Sequence, residues 1–165
     1  LSKEELMERG VKYGADVPSC IKKGTARAKG IGEKLTTLTP FPSCHIVLAK
    51  PAVSVSTKFI FEHLDVAAIE KHPDMEALSK AVEKEDLQET ADAMGNVLEE
   101  VTMKYYPRVK EIKETMLNCG ALNALMTGSG PTVFGVFGDL KKAQEAQEIL
   151  EKDGEIDFVI MSHPC

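Results

Sequence analysis

Leu87, Ala91, Met94, Leu98 and Val101 recur at intervals of four and three residues. That repeat puts them on one helix face and predicts a single long amphipathic helix. Shorter stretches carry the same period between start and stop signals. Ser2 and Glu5 form a capping box that starts a helix at Lys3, with Leu6, Met7 and Val11 on its apolar side and Gly14 at its end. Gly14-Ala15-Asp16-Val17-Pro18 then leaves the helix, with Asp16 at the bend and Val17 extended ahead of Pro18. Ser54 or Ser56 can cap a helix carrying Phe59, Ile60 and Leu64, and Asp74 precedes one that uses Leu78 and Val82. Pro107 suits the first turn of a helix with Val109, Ile112 and Met116 on its face and Gly120 as its C-cap. Asp139 caps a helix with Leu140, Ala143, Ala146 and Leu150, ended by Gly154.

Between these lie runs of the strand type. Thr25 to Lys29 and Lys34 to Leu38 flank a Gly30-Ile31-Gly32 turn. His45 to Ala49 is a buried-type strand stopped by Pro51, and Asp157 to Met161 is a last apolar strand. Leu122 to Met126 and Val133 to Phe137 flank Gly128-Ser129-Gly130-Pro131 and read as a hairpin. From His45 onward the order is one strand, several helices, two strands, a helix and a strand. Pairing rules turn that into an α+β fold: a ferredoxin-like, four-stranded antiparallel sheet with helices on one face and an extra helical insert. Pro40 and Pro42 mark a boundary, so residues 1–43 and 44–165 are expected to be separate units. The first does not fit the ferredoxin-like pattern and reads as the tail of a different domain.

Composition narrows the partners. The 165 residues are 43% hydrophobic and 28% charged, ordinary for a globular chain, and the formal net charge is −6. Lys and Arg are spread along the chain, which argues against a nucleic acid or an anionic membrane as partner but leaves room for a nucleotide. The cysteines at 20, 44, 119 and 165 form no CxxC pair, which points to reduced thiols in a cytoplasm and not to zinc or a disulfide framework. No apolar run reaches membrane-spanning length, and no signal peptide is present.

Three features could carry chemistry. Asp16 stands among small and apolar neighbours, where partial desolvation would let a carboxylate accept a hydroxyl proton or hold a cation. The alternative for such a residue is an Asx turn that bonds backbone amides. Gly128 and Gly130 can adopt positive φ and leave their N–H groups unobstructed, in a plain turn or beside a phosphate. Of Phe59 and Phe61, one is expected to face the core and the other to be free to stack on a base. His45, His63, His72 and His163 have no metal-ligand spacing, and Gly128-Ser129-Gly130 is not a GxSxG nucleophile elbow.

Two separated motifs then coincide. GADVP at Gly14, followed by GTARAKGIGEKL from Gly24 to Leu35, resembles the middle of the 4-diphosphocytidyl-2-C-methyl-D-erythritol kinases, members of the GHMP kinase superfamily. KPAVSVST (Lys50 to Thr57), NVLE (Asn96 to Glu99) and MTGSGPTVFGVF look like later segments of that family, in the same order. The last alone would indicate only the superfamily. The resemblance implies the GHMP C-terminal fold and phosphorylation, by ATP with Mg, of the 2-hydroxyl of the cytidine-diphosphate-linked methylerythritol, a small-molecule substrate. It makes Asp16 the catalytic base. It places Thr57 and Phe61 in the substrate pocket, with Phe61 against the cytosine ring, and sets Gly128, Ser129 and Gly130 beside the phosphates. The family's ATP-cradling loop, of the form PxxxGLGGGSSDAA, is not among these residues, nor is the amino-terminal lysine that partners the aspartate. The chain is therefore expected to be the carboxy-terminal part of such a kinase, inactive alone, with the missing amino-terminal half as its partner. Its first 40 or so residues are expected to pack poorly. Ser19 replaces a usual aromatic residue and Lys23 a usual glycine. Two other readings stay open: another GHMP small-molecule kinase, or a non-enzymatic ferredoxin-like ligand-binding domain.

Overall fold

Two sheets organise the computed structural model, which describes residues 1–69 and 72–164. In the first part α1 (Lys3–Gly10) and α2 (Val17–Lys22) pack together beside the hairpin of β1 (Ala26–Lys29) and β2 (Lys34–Thr37). Both bonds of the Ser2–Glu5 capping box form. Only Gly10, Pro18 and Pro42 are buried among residues 1–43, so this part has almost no core of its own.

The second sheet holds β3 (His45–Pro51), β4 (Asn123–Met126), β5 (Val133–Phe137) and β6 (Ile156–Ser162), all antiparallel in the order β4-β5-β3-β6. Inserted after β3 are α3 (Thr57–Glu62), α4 (Met75–Glu83), α5 (Leu87–Ala93), α6 (Glu99–Tyr105) and α7 (Pro107–Asn118). Helix α8 (Leu140–Glu151) joins β5 to β6. Side chains alternate between strand faces. Val47, Ala49, Ala124, Met126, Val133 and Phe137 therefore meet Val109, Ile112 and Met116 of α7 and Ala143, Ala146 and Leu150 of α8 in one core. Full burial of the valine, isoleucine, leucine, methionine and phenylalanine side chains among these contributes ~1.5–3 kcal/mol each before entropy is counted. Gly135 lies against Met116 in this layer; a Cβ there would stand 3.0 Å from its sulfur, so glycine lets α7 approach the sheet. Cys20, Cys44 and Cys119 are free thiols, and Cys165 lies outside the described residues.

Four local expectations are corrected. The Leu87-to-Val101 periodicity is divided between α5 and α6, because Met94 is extended (φ −73, ψ 143) and Gly95 and Asn96 leave the helix. A short polar side chain that bonds backbone outside its own helix competes with helical pairing there. Val17 is helical and not extended: Pro18 sits in the first turn of α2, where its missing N–H needs no partner. Helix α1 ends at Gly10 and α8 at Glu151, before Gly14 and Gly154. The helices are also not confined to one face. Asn123, on the face opposite the core, donates to the Ala91 carbonyl (2.6 Å), which brings the end of α5 over that side of β4.

Candidate functional site

The turn between β4 and β5 is held by three side chains, one from the break between α5 and α6 and two from α6. Thr127 N–H donates to the Thr132 carbonyl and Gly130 N–H to the Thr127 carbonyl, both at 2.8 Å. Asn96 Nδ2 donates to the carbonyls of Met126 and Gly128, each at 2.8 Å. Glu99 Oε1 accepts the Met126 N–H at 2.6 Å, while its other oxygen pairs with Lys113. The fully buried Thr102 donates to the Ser129 carbonyl at 3.3 Å. Gly128 and Gly130 have φ of +51° and +89°, and the Gly130–Pro131 peptide is cis. A Cβ on Gly130 would stand 2.6 Å from the Met126 sulfur, so that position requires glycine; one on Gly128 would meet nothing within 4 Å.

With these bonds made, the N–H groups of Gly128 and Ser129 donate to no other group among the described residues. Successive free amides at a positive-φ turn form a concavity suited to an anion. Beside it stands α3, whose N-cap Ser56 accepts the Phe59 N–H. The first residue of α3, Thr57, is exposed, and its Oγ1 lies 2.8 Å from Ser129 Oγ. The helix therefore meets the glycine turn through a pair of hydroxyls.

Of the two phenylalanines of α3 neither enters the core; Ile60 is the buried residue of the helix. Phe59 is half-buried and packs against His63 and Tyr105, with ring centroids 4.0 and 5.0 Å apart. Phe61 is 58% exposed, with its ring free. His63 Nδ1 lies 2.8 Å from the Phe59 carbonyl, a helix-capping role. No group of three His, Cys, Asp or Glu residues with metal-binding geometry occurs among the described residues.

Asp16 is the N-cap position of α2, but its carboxylate makes no capping bond. Its carbonyl instead accepts from Ser19 Oγ at 2.6 Å and from the Cys20 N–H. The side chain is exposed, not partly desolvated as its apolar neighbours suggest, because so little of residues 1–43 is buried at all. Gly32, in the β1–β2 turn, positions that bend: its φ is +117°, and a Cβ on it would stand 3.1 Å from the Ala15 carbonyl. The two motifs, GADVP and GTARAKGIGEKL, are thus in contact. No hydrogen bond or ion pair among the described residues links Asp16 to Thr57 or to the glycine turn.

The sequence reading missed Asn96, Glu99 and Thr102 as holders of that turn. A Gly-Asn pair inside an otherwise helical period was the available signal, since both residues favour leaving a helix.

Known proteins resemble the chain over most of its length. Residues 78–156 match the family model described as GHMP kinases C terminal. The 4-diphosphocytidyl-2-C-methyl-D-erythritol kinase of Lachnospira eligens is 50% identical over 151 residues, 92% of this chain and 52% of that protein. The kinase of the same name from Clostridium novyi is 51% identical over 148 residues, 90% of this chain and 53% of that protein. The chain spans about half the length of the curated relatives it matches. A crystal structure of 4-(cytidine 5'-diphospho)-2C-methyl-D-erythritol kinase superposes with a TM-score of 0.78 at 26% identity, covering 97% of this chain and 57% of that one. The homoserine kinase of Cytophaga hutchinsonii shares the fold, with a TM-score of 0.71 at 18% identity over 92% of this chain and 51% of that one.

Proposed function

We propose, for a chain that carries the GHMP kinase C-terminal domain, that its site serves the ATP-dependent phosphorylation of the 2-hydroxyl of 4-diphosphocytidyl-2-C-methyl-D-erythritol. This is a cytoplasmic step of non-mevalonate isoprenoid synthesis. Residues 1–43 contribute the end of an amino-terminal domain and residues 44–165 the carboxy-terminal domain. The proposed partner of both is an amino-terminal half of the same kinase, in keeping with relatives of which this chain spans about half the length.

The observation that carries the reading is the Thr57–Ser129 contact at 2.8 Å, which joins the helix bearing Phe61 to the turn bearing the free amides. A nucleoside diphosphate needs both at once, a flat apolar surface for its base and donors for phosphate oxygens. The exposed ring of Phe61 offers a stacking surface for cytosine. Thr57, one helical turn before Phe61 on α3, is the second residue proposed to contact the substrate. The Gly128 and Ser129 N–H groups are unpaired among the described residues and the space beside Gly128 is open, so the turn fits phosphate oxygens. ATP, with Mg, supplies the transferable phosphoryl group. Because Mg is commonly held by one or two carboxylates and phosphate oxygens, the lack of a described three-residue cluster is compatible with it.

Phosphoryl transfer asks a protein mainly for positioning and for donors aimed at developing charge. The turn supplies backbone donors that need no reorganisation, since Asn96, Glu99 and Thr102 already hold it. Asp16, exposed and without a capping bond, is free to accept the proton of the attacking hydroxyl. The test is to assay the complete gene product with ATP against the cytidine-linked alcohol, homoserine and mevalonate. Turnover of the first alone supports the reading; turnover of homoserine or mevalonate instead overturns it.

A further inference from the structure

We propose that Asn96 is a positioning residue, whose side-chain amide clamps the glycine turn so that the Ser129 N–H faces the reacting phosphate; the proposal rests on the phosphate-side reading of that turn. Asn96 lies in the break between α5 and α6. Its Oδ1 accepts the Leu98 N–H at 3.0 Å, which fixes the side chain against the start of α6. Both protons of its Nδ2 are then aimed at the turn, one at the Met126 carbonyl and one at the Gly128 carbonyl, each at 2.8 Å. These carbonyls flank Thr127. Drawing both to one side sets the orientation of the two peptide planes that follow them, Met126–Thr127 and Gly128–Ser129. The Ser129 N–H belongs to the second of these planes and points away from the Gly128 carbonyl that Asn96 holds. The clamp therefore aims a free donor.

The bonding also explains why a strong helical period breaks there. A helix continued from Leu87 through Val101 would carry Asn96 along its own axis and forfeit both carbonyl contacts. Thr102 and Glu99 back the same turn from α6, through the Ser129 carbonyl and the Met126 N–H, but neither touches the Gly128 carbonyl. Among the described residues, Asn96 Nδ2 is the side-chain donor that does.

Asparagine separates the two roles by substitution. Asn96→Asp keeps an oxygen to accept the Leu98 N–H, and so keeps the local cap, but at neutral pH it removes both donors. Asn96→Ser removes the reach to both carbonyls without adding charge, and covers the case in which the new carboxylate unfolds the segment. Two readouts are taken on the complete gene product. The first, with no substrate present, is hydrogen exchange at the Thr127 and Gly130 amides, which bond within the turn. Loss of the clamp is expected to speed their exchange about tenfold, the scale of one or two net hydrogen bonds. The second is steady-state phosphorylation, in which kcat is expected to fall about 10- to 100-fold while the KM for the cytidine-linked alcohol stays near its original value, since the donors act on developing charge. The protonated carboxyl of Asn96→Asp can donate one bond, so its kcat relative to the unsubstituted protein is expected to recover as pH falls.

Unchanged exchange in both variants overturns the clamp. Faster exchange with unchanged kcat overturns its service to the reaction. Should the unsubstituted protein phosphorylate none of the alcohols, the proposed function fails, and the exchange arm still decides whether Asn96 holds the turn.

Discussion

Thr57 Oγ1 and Ser129 Oγ lie 2.8 Å apart, although 72 residues separate them in the chain. Either hydroxyl can donate, and no other side-chain bond among the described residues joins α3 to the glycine turn. If the pair couples the nucleoside wall to the phosphate donors, the two residues act as a unit. Thr57→Val and Ser129→Ala are each expected to lower kcat/KM for the cytidine-linked alcohol about 3- to 10-fold, the range of one net hydrogen bond. The double variant should lose little more than either single one. A double-mutant cycle checks this, and full additivity would separate the two residues.

Gly32 controls the bend that carries Asp16. Its φ of +117° and the 3.1 Å approach to the Ala15 carbonyl both oppose a side chain. Gly32→Ala is expected to destabilise the protein by about 1–3 kcal/mol, the usual cost of a strained backbone site, and to lower turnover by moving Asp16. Gly24→Ala is the control: φ is +72°, but no atom lies within 4 Å of the added Cβ. It should lower the melting temperature and leave turnover per folded molecule unchanged. Thermal melts and kcat on both variants distinguish strain from displacement.

Acid should loosen the second sheet through its caps. Asp139 accepts the Lys142 and Lys141 N–H groups at the start of α8, and these bonds hold its carboxyl below the usual carboxylate range. Asp74 is lowered in the same way by the Ala77 and Glu76 N–H groups of α4. A depressed folded-state pKa contributes stability that is complete above the ordinary carboxylate pKa and lost as pH falls through the folded value. Melting temperature is therefore expected to be flat from neutral pH down to the ordinary carboxylate range and to fall below it. Asp139→Asn should reduce that fall, because the amide keeps an acceptor oxygen but does not titrate. Melts at stepped pH measure the difference.

The sequence announced most of the architecture through residues that act locally. Ser2 with Glu5, Ser56, Asp74, Asp139 and Pro107 each marks a helix start that the structure confirms. The strands of the second sheet follow from apolar runs bounded by glycine or proline. What could not be read depends on partners far away in the chain. Met94 and Leu98 keep a helical period, yet Asn96 gains more from carbonyls 30 and 32 residues further on than from its own helix. Val17 opens α2 against the local bias that Pro18 imposes on it, and Pro18 itself is tolerated in the first turn because its missing N–H needs no partner there. The site was legible as a set of separate residues, and the resemblance supplied their roles. That Thr57 reaches Ser129, and Gly32 reaches Ala15, is a matter of tertiary packing.

Asp16 carries the central chemical claim, and one substitution addresses it. Asp16→Asn in the complete gene product keeps the size of the side chain, and the carboxylate it replaces makes no capping bond. The melting temperature should therefore stay close to that of the unsubstituted protein. Phosphorylation of 4-diphosphocytidyl-2-C-methyl-D-erythritol by ATP should fall about 10²- to 10⁴-fold, the contribution of a positioned general base. Near-normal phosphorylation by the Asp16→Asn variant would contradict the account.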